Sequence, residues 1–467
     1  MMKLHFKSMR RHPLWVMTLL LSLNSMVLFA QEEKVEETNL PQPPLKKLTA
    51  ISNEGNNAAP TQTPSPEELL GCQTPSCLPA ESPAEKSENP EDFPFQLFRD
   101  GSRLKLSGWV ESGLYVNSHG ATSKYGPYGA GLLENSGNGP NFGAGLRTTD
   151  YNMNQLWTRL IREMNCENGF DWGFRADLLY GMNGYGVQSS GDNSFDTGWG
   201  EGDYGLGFHQ LYAEMGYKKL TARYGKFGTP IGWEETASWN NFFYSHSYCF
   251  NIEPCIHTGA LLHYQLTDDL KLAGGWSAGM ENGFTNRYGD QSVIAGFEWA
   301  LTKKSTLYYY MTQGKLKNGL DAEGFDRFES GLDTEYFIQS IDFEWKPTEK
   351  WTYVCQYNLN NLNEFGGNQV SAYGINNHLI YKIDDKWSTG LRAEWLRDNG
   401  VLAYENASGK SNNSDYVELT LGVDFNPTEH LRIRPEIRYD HAFKNQMFAN
   451  GTKNEQFSGG FGILYGF

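Results

Sequence analysis

The residues with the most chemical potential crowd between Gly228 and His257. Ser245, His246 and Ser247 stand side by side and are the side-chain types of a hydrolytic dyad. Neighbours on an extended chain point to opposite sides, so adjacency alone does not bring a hydroxyl onto the imidazole. His246, Glu253 and His257 offer ligand atoms for a metal, but histidines in an aromatic loop more often pack or hydrogen-bond. The same stretch carries Pro230, Trp233, Glu234, Glu235, Trp239, Phe242, Phe243, Tyr244 and Tyr248. Glu234 and Glu235 have no basic residue near them in sequence. If the segment narrows a passage, Trp233, Glu234 and Glu235 are its candidate constriction; if it caps a rim, the aromatics are its packing surface. Cys249 and Cys255 lie close enough in sequence to form a disulfide in an oxidising compartment, the alternative being two thiols. There is no glycine-rich phosphate loop and no zinc-type Cys/His spacing, and no cofactor or catalytic residue is implied.

The elements that would position this segment are strands. The 467 residues include 26 Tyr, 27 Phe, 13 Trp and 51 Gly, yet mean hydropathy is −0.56. That profile excludes a multi-span helical membrane protein, because each span needs about 20 apolar residues. It also excludes wholesale disorder, which is poor in aromatics. The net charge of −16 argues against nucleic acid as a partner.

Residues 1–30 read as an export signal: Lys3, Lys7, Arg10 and Arg11 precede an apolar run from Leu14 to Ala30. Residues 31–100 hold 11 of the 19 prolines and 13 acidic against 5 basic residues, the composition of a disordered acidic linker. Cys72 and Cys77 in this linker could pair with each other. From about Leu104 onward, period-two alternation dominates. Trp172, Phe174, Ala176, Leu178 and Tyr180 alternate with charged or small residues, and so do Leu431, Ile433, Pro435, Ile437 and Tyr439. Strands of about 10–13 residues with aromatic ends suit a tilted bilayer span better than a soluble sheet. Tight turns repeat at Thr267, Thr302, Thr348, Asp384 and Thr428 and alternate with longer connections.

These features predict an all-β fold: residues 101–467 form an antiparallel up-and-down transmembrane barrel of about 16 strands, with 14 and 18 as the neighbouring even counts. The apolar face meets lipid. The other face puts Arg159, Arg175, Asp177, Glu214, Arg223, Asp342, Glu344, Arg392, Glu394, Glu418, Asp424, Arg432, Arg434, Glu436 and Arg438 in the lumen. Cys166 falls in a short turn and Cys355 on the lipid face. The chain ends with Phe461, Ile463, Tyr465 and Phe467 at alternating positions, the form of a C-terminal insertion signal read by barrel-assembly machinery.

The stretches NQLWTRLIRE, GFDWGFRADLLYG, YGKFGTPIGWEE, NFFYSHSY, EPCIHTGALLHYQLTDDLKLAGGWSAG, LRAEWLRDNG, YVELTLGV and LRIRPEIRYD resemble the putative beta-barrel porin-2 (OmpL-like) family. The resemblance runs from about Asn154 to Phe467 and implies an outer-membrane barrel of porin type. The expected function is passive diffusion of small hydrophilic solutes or ions. A weak cation preference follows from 42 acidic against 30 basic residues over 101–467 and from Glu234 and Glu235. The alternative is a plugged barrel with a structural or surface-interaction role. Outer-membrane lipid surrounds the barrel in either case, a homo-oligomer is compatible with both, and the N-terminal tail is expected in the periplasm.

Overall fold

The computed structural model describes residues 103–119, 151–166, 169–189, 195–196, 198–201, 204–285, 289–317, 333–364, 369–401, 413–444, 448 and 453–467. The export signal, the linker, Cys72 and Cys77 lie outside the described residues.

The strands are β1 (Leu104–Asn117), β2 (Tyr151–Arg162), β3 (Phe170–Gly181), β4 (Gly200–Glu201), β5 (Tyr204–Tyr217), β6 (Leu220–Gly228), β7 (Ile256–Gln265), β8 (Leu270–Ser277) and β9 (Gln291–Thr302). They continue as β10 (Ser305–Leu316), β11 (Thr334–Thr348), β12 (Trp351–Glu364), β13 (Gln369–Lys382), β14 (Trp387–Asp398), β15 (Ser414–Thr428), β16 (Leu431–Ala442) and β17 (Glu455–Gly466). β4 is a two-residue strand beside β5. The other sixteen pair with their neighbours in chain order, all antiparallel. β1 pairs with both β2 and β17, so the sheet closes on itself, with Trp109 opposite Gly466 and Asn117 opposite Ser458. Closure leaves no unpaired edge, the condition for a sheet in lipid.

The alternation read from the sequence is the inside–outside alternation of the wall. On β3, Trp172 and Tyr180 are exposed while Arg175 and Asp177 are buried. On β15, Leu419 and Leu421 face out and Glu418 and Thr420 face in. Trp299, Trp345, Trp351 and Trp387 are exposed beside the short turns, where an aromatic band meets the headgroups.

The repeated turn residues have one job. Thr302, Thr348 and Thr428 accept, on Oγ1, a bond from the backbone N–H of Lys304 (3.1 Å), Lys350 (3.3 Å) and Leu431 (3.2 Å). Asp384 Oδ1 accepts from Lys386 N and Trp387 N at 2.8 and 2.9 Å. A short side-chain oxygen thereby pins each hairpin.

Candidate functional site

The segment 229–255, between β6 and β7, folds into the barrel and packs against the wall. Its aromatics are buried: Trp239, Phe242, Phe243, Tyr244, Tyr248 and Phe250 all keep 8% exposure or less. They fit where the inward face of a strand carries glycine. A Cβ at Gly390 would strike the Phe242 ring, one at Gly422 would lie 2.9 Å from Phe243, one at Gly462 2.5 Å from Tyr244, and one at Gly466 2.8 Å from Trp239. Knobs on the loop thus enter niches on β14, β15 and β17. Two apolar clusters extend this seat, one joining Tyr248, Cys249 and Ile252 to Leu396 and Tyr416, the other joining Ala237, Trp239 and Phe250 to Trp109 and Trp157.

A loop in this position buries backbone groups that need partners. The wall charges supply them. Arg434 Nη1 donates to the carbonyls of Ser238, Asn241 and Phe243 at 2.7–2.9 Å. Arg392 donates to the carbonyls of Ser245 (2.6 Å) and His246 (3.2 Å), Arg438 to that of His246 (2.6 Å), and Arg432 to that of Trp239. Glu436 accepts from Tyr244 N at 2.8 Å and Ser245 N at 3.2 Å. Glu394 accepts from Tyr248 N at 2.6 Å and Cys249 N at 2.5 Å. The arginine fork suits this work, because one planar group serves several acceptors.

Glu234 is locked rather than presented. It is 2% exposed, meets Arg392 Nη1 at 2.8 Å and accepts from Ser247 N and Oγ. Burial is the largest influence and opposes its charge, but Arg392, His378, His246 and the Ser247 bond together overcome it and lower the carboxyl to about 2. The absence of a nearby base in sequence is therefore corrected in space: Arg392 lies 158 residues away along the chain. Glu235 holds the loop's own turn, accepting from Asn240 Nδ2 at 2.5 Å while its backbone N–H donates to Asn241 Oδ1 at 2.8 Å. Trp233 is half-buried; its indole N–H donates to Glu344 at 3.5 Å and its ring lies 4.7 Å from His378.

The remaining wall charges also find partners. Arg159 and Arg175 share Asp177 (3.3 and 2.8 Å), Arg223 meets Glu214 (3.5 Å), Arg432 meets Asp424 (2.6 Å), and Arg392 meets Glu418 (3.1 Å). Asp342 accepts from Ser340 Oγ at 3.0 Å, and Glu344 pairs with Lys346 at 3.1 Å. Sequence reading missed Glu111, which meets Arg434, and Asp440, which meets Arg438 at 2.7 Å. Both sit at inward positions of alternating strands, and that alternation was the signal for them. It also missed the buried pair Lys226–Asp196 at 2.7 Å, for which no local pattern exists.

The serine–histidine cluster is taken apart by its partners. Ser245 Oγ accepts from Arg392, Ser247 Oγ donates to Glu234, and His246 stacks on Phe250 at 3.8 Å. His257 bonds Thr229 Oγ1 at 2.9 Å, and no group of three His, Cys, Asp or Glu side chains converges among the described residues. The expected Cys249–Cys255 disulfide is not formed: Cys249 is a buried free thiol, drawn into the apolar seat under the loop, and Cys255 is bonded elsewhere. Cys166 and Cys355 are free thiols as well. Phe461, Ile463, Tyr465 and Phe467 share the outer face of the closing strand, and Phe467 exchanges both backbone bonds with Gly108 at 2.8 Å.

In fold the barrel is similar to the anion-selective porin from Comamonas acidovorans, with 10% identity, a TM-score of 0.50, and coverage of 78% of this chain and 99% of that one. It is also similar to the outer membrane channel DcaP of Acinetobacter baumannii (11%, TM-score 0.49, 78% and 97%) and to OmpT, an outer membrane protein of Vibrio cholerae (12%, TM-score 0.48, 78% and 99%). No curated protein matches the chain. The family described as putative beta-barrel porin-2, OmpL-like, matches residues 103–467, the whole barrel. The chain belongs to that family and is a porin-type barrel of the outer membrane.

Proposed function

We propose that the protein is a diffusion channel for small hydrophilic solutes or ions, narrowed by the inserted loop 229–255 and weakly cation-preferring. The observation that carries this reading is the loop itself, seated inside the barrel and clamped to the wall by Arg392, Arg432, Arg434 and Arg438. A constriction must hold its shape against flow, and charge-assisted bonds to backbone carbonyls provide that rigidity.

The charge preference rests on groups other than Glu234. Side chains of the Arg392–Glu418 pair are fully buried, whereas Glu344 and Glu214 keep 19% and 17% exposure. Glu214 is more exposed than its partner Arg223, while Glu344 shares its surroundings with Lys346 at 59% exposure, so the two carboxylates tip the local charge only weakly towards cations. An ion passing within about 8 Å of them feels little screening. In planar bilayers under a salt gradient, the parent protein should give a reversal potential of the cation-selective sign. The double variant Glu214→Gln with Glu344→Gln should move it towards zero. An anion-selective parent refutes the preference.

The near-complete burial of the mid-barrel charges favours a second reading, a barrel plugged by its own loop. Conductance separates the two: discrete current steps from the purified protein support the channel, and their absence supports the plug.

A further inference from the structure

Strands β11, β12 and β13 present a row of buried oxygen acceptors to the inserted loop. Asp342, Gln356 and Asn376 are direct cross-strand neighbours, and Asn358 follows on the same face of β12. Such neighbours have Cβ atoms about 5 Å apart. All four side chains are 2% exposed or less. From the loop, fully buried Glu253 comes down on this row: Gln356 Nε2 donates to its Oε1 at 2.8 Å, and Asn358 Nδ2 donates to the same oxygen. Those two bonds fix the amides. With both NH2 groups committed to one carboxylate oxygen, the carbonyl oxygens must turn elsewhere. No donor among the described residues reaches Gln356 Oε1, Asn358 Oδ1, Asn376 Oδ1 or Asp342 Oδ1. The other Asp342 oxygen accepts from Ser340 Oγ at 3.0 Å, and no arginine or lysine pairs with Asp342 among the described residues.

A buried carboxylate in a row of unpaired carbonyl oxygens is costly unless a cation or donating water serves them. We propose that Asp342, Gln356, Asn358 and Asn376 form a binding site for a hard divalent cation of the calcium class, with Glu253 holding the two amides of β12 in place. The donors are all oxygen, which disfavours soft metals and suits calcium. The Asp342 carboxylate supplies the charge, and the neutral amides complete a loose shell that a small octahedral ion would not fill. Glu344 stands two residues along β11 towards the short turns, 19% exposed and paired with Lys346. The site does not depend on whether the barrel conducts.

The test uses the full-length barrel in detergent, stripped with EDTA and titrated with calcium chloride by calorimetry, with thermal unfolding in parallel. The parent should take up calcium saturably and unfold at a higher temperature when loaded. Asp342→Asn should lose both responses. Because that change removes a buried charge, the variant in EDTA should unfold no earlier than the stripped parent, which separates lost binding from lost folding. Gln356→Leu keeps Asp342 and the two asparagines and should weaken binding without abolishing it. No saturable uptake by the parent, or equal uptake by Asp342→Asn, would mean that water fills the row and would overturn the proposal.

Discussion

Replacing Arg392 with Met should free the inserted loop while leaving the barrel closed. Arg392 is fully buried and joins Glu234 and Glu418 from opposite sides, while also holding Ser245 Oγ and two loop carbonyls. A methionine fills similar space but takes the adjoining cation from Glu234 and Glu418 and the donor from the Ser245 carbonyl, while Arg438 still serves the His246 carbonyl. Breaking a buried pair in this way costs about 3–5 kcal/mol. Little of that cost falls on the strand ladder, whose backbone bonds are untouched, so it acts on the docking of the loop. The undocked population should rise by roughly 10²–10³-fold. Cys249 reports on this directly. Its thiol is buried in the seat, and burial followed by the Glu394 charge pushes it well above the ordinary thiol range, so it should react with maleimide only when the loop lifts. Labelling of the Cys249 peptide, followed by mass spectrometry, should accelerate by a comparable factor in Arg392→Met. Arg392→Lys should fall between, since it keeps the charge and loses the fork. An unchanged Cys249 labelling rate in a folded Arg392→Met barrel would falsify the assignment of Arg392 as the loop's clamp.

Acid should loosen the same loop. Burial, opposed by the Glu234 charge, lowers His246 from 6.5 to about 4, so the undocked state binds a proton first and docking weakens as pH falls from about 6.5 to 4. Glu234, depressed from 4.5 to about 2, adds a further loss as pH falls between those values; Cys249 protection measured against pH should follow this course, and a loop equally protected at pH 4 and 7 contradicts it. Gly390→Val puts a branched side chain into the Phe242 niche and should cost on the order of 1–3 kcal/mol of loop docking, read as increased protease cutting within 229–255; resistance equal to the parent counts against the niche. Deleting Phe467 removes the residue that exchanges two backbone bonds with Gly108, and should lower outer-membrane levels while the protein that does assemble conducts as before; unchanged levels argue against an assembly role.

The wall was legible in the sequence because its rule is local. Residues two apart share a face, so Arg432, Arg434, Glu436 and Arg438 could be placed on the inside of β16 from their spacing alone. The turn residues Thr302 and Thr428 act within three residues of themselves and were equally readable. What the wall charges do was not readable. Arg434 serves Ser238, 196 residues earlier, and Glu394 serves Tyr248, 146 residues earlier, and no period connects such pairs. The nearest sequence clue lies in the glycines: Gly390 and Gly422 interrupt inward faces otherwise filled by larger side chains, and β17 puts Gly460, Gly462 and Gly466 on its inward face, as holes do where something else must fit. The Cys249–Cys255 expectation failed for the converse reason, since closeness along the chain was taken for closeness in space.

The niches that receive the loop have an implication for the order of assembly. Tyr244 rests against Gly113 of β1 and Gly462 of β17, strands from opposite ends of the barrel sequence that meet only at the closing seam. Arg392 and Arg438, which clamp the same segment, belong to hairpins synthesised long after residue 255 has emerged. The loop therefore has no complete resting place until the last strand has found the first. Docking is then a late event that depends on ring closure, and a barrel whose seam has not zipped carries a free, aromatic-rich segment. Such a segment marks an unfinished molecule, and its disappearance into the interior marks a finished one.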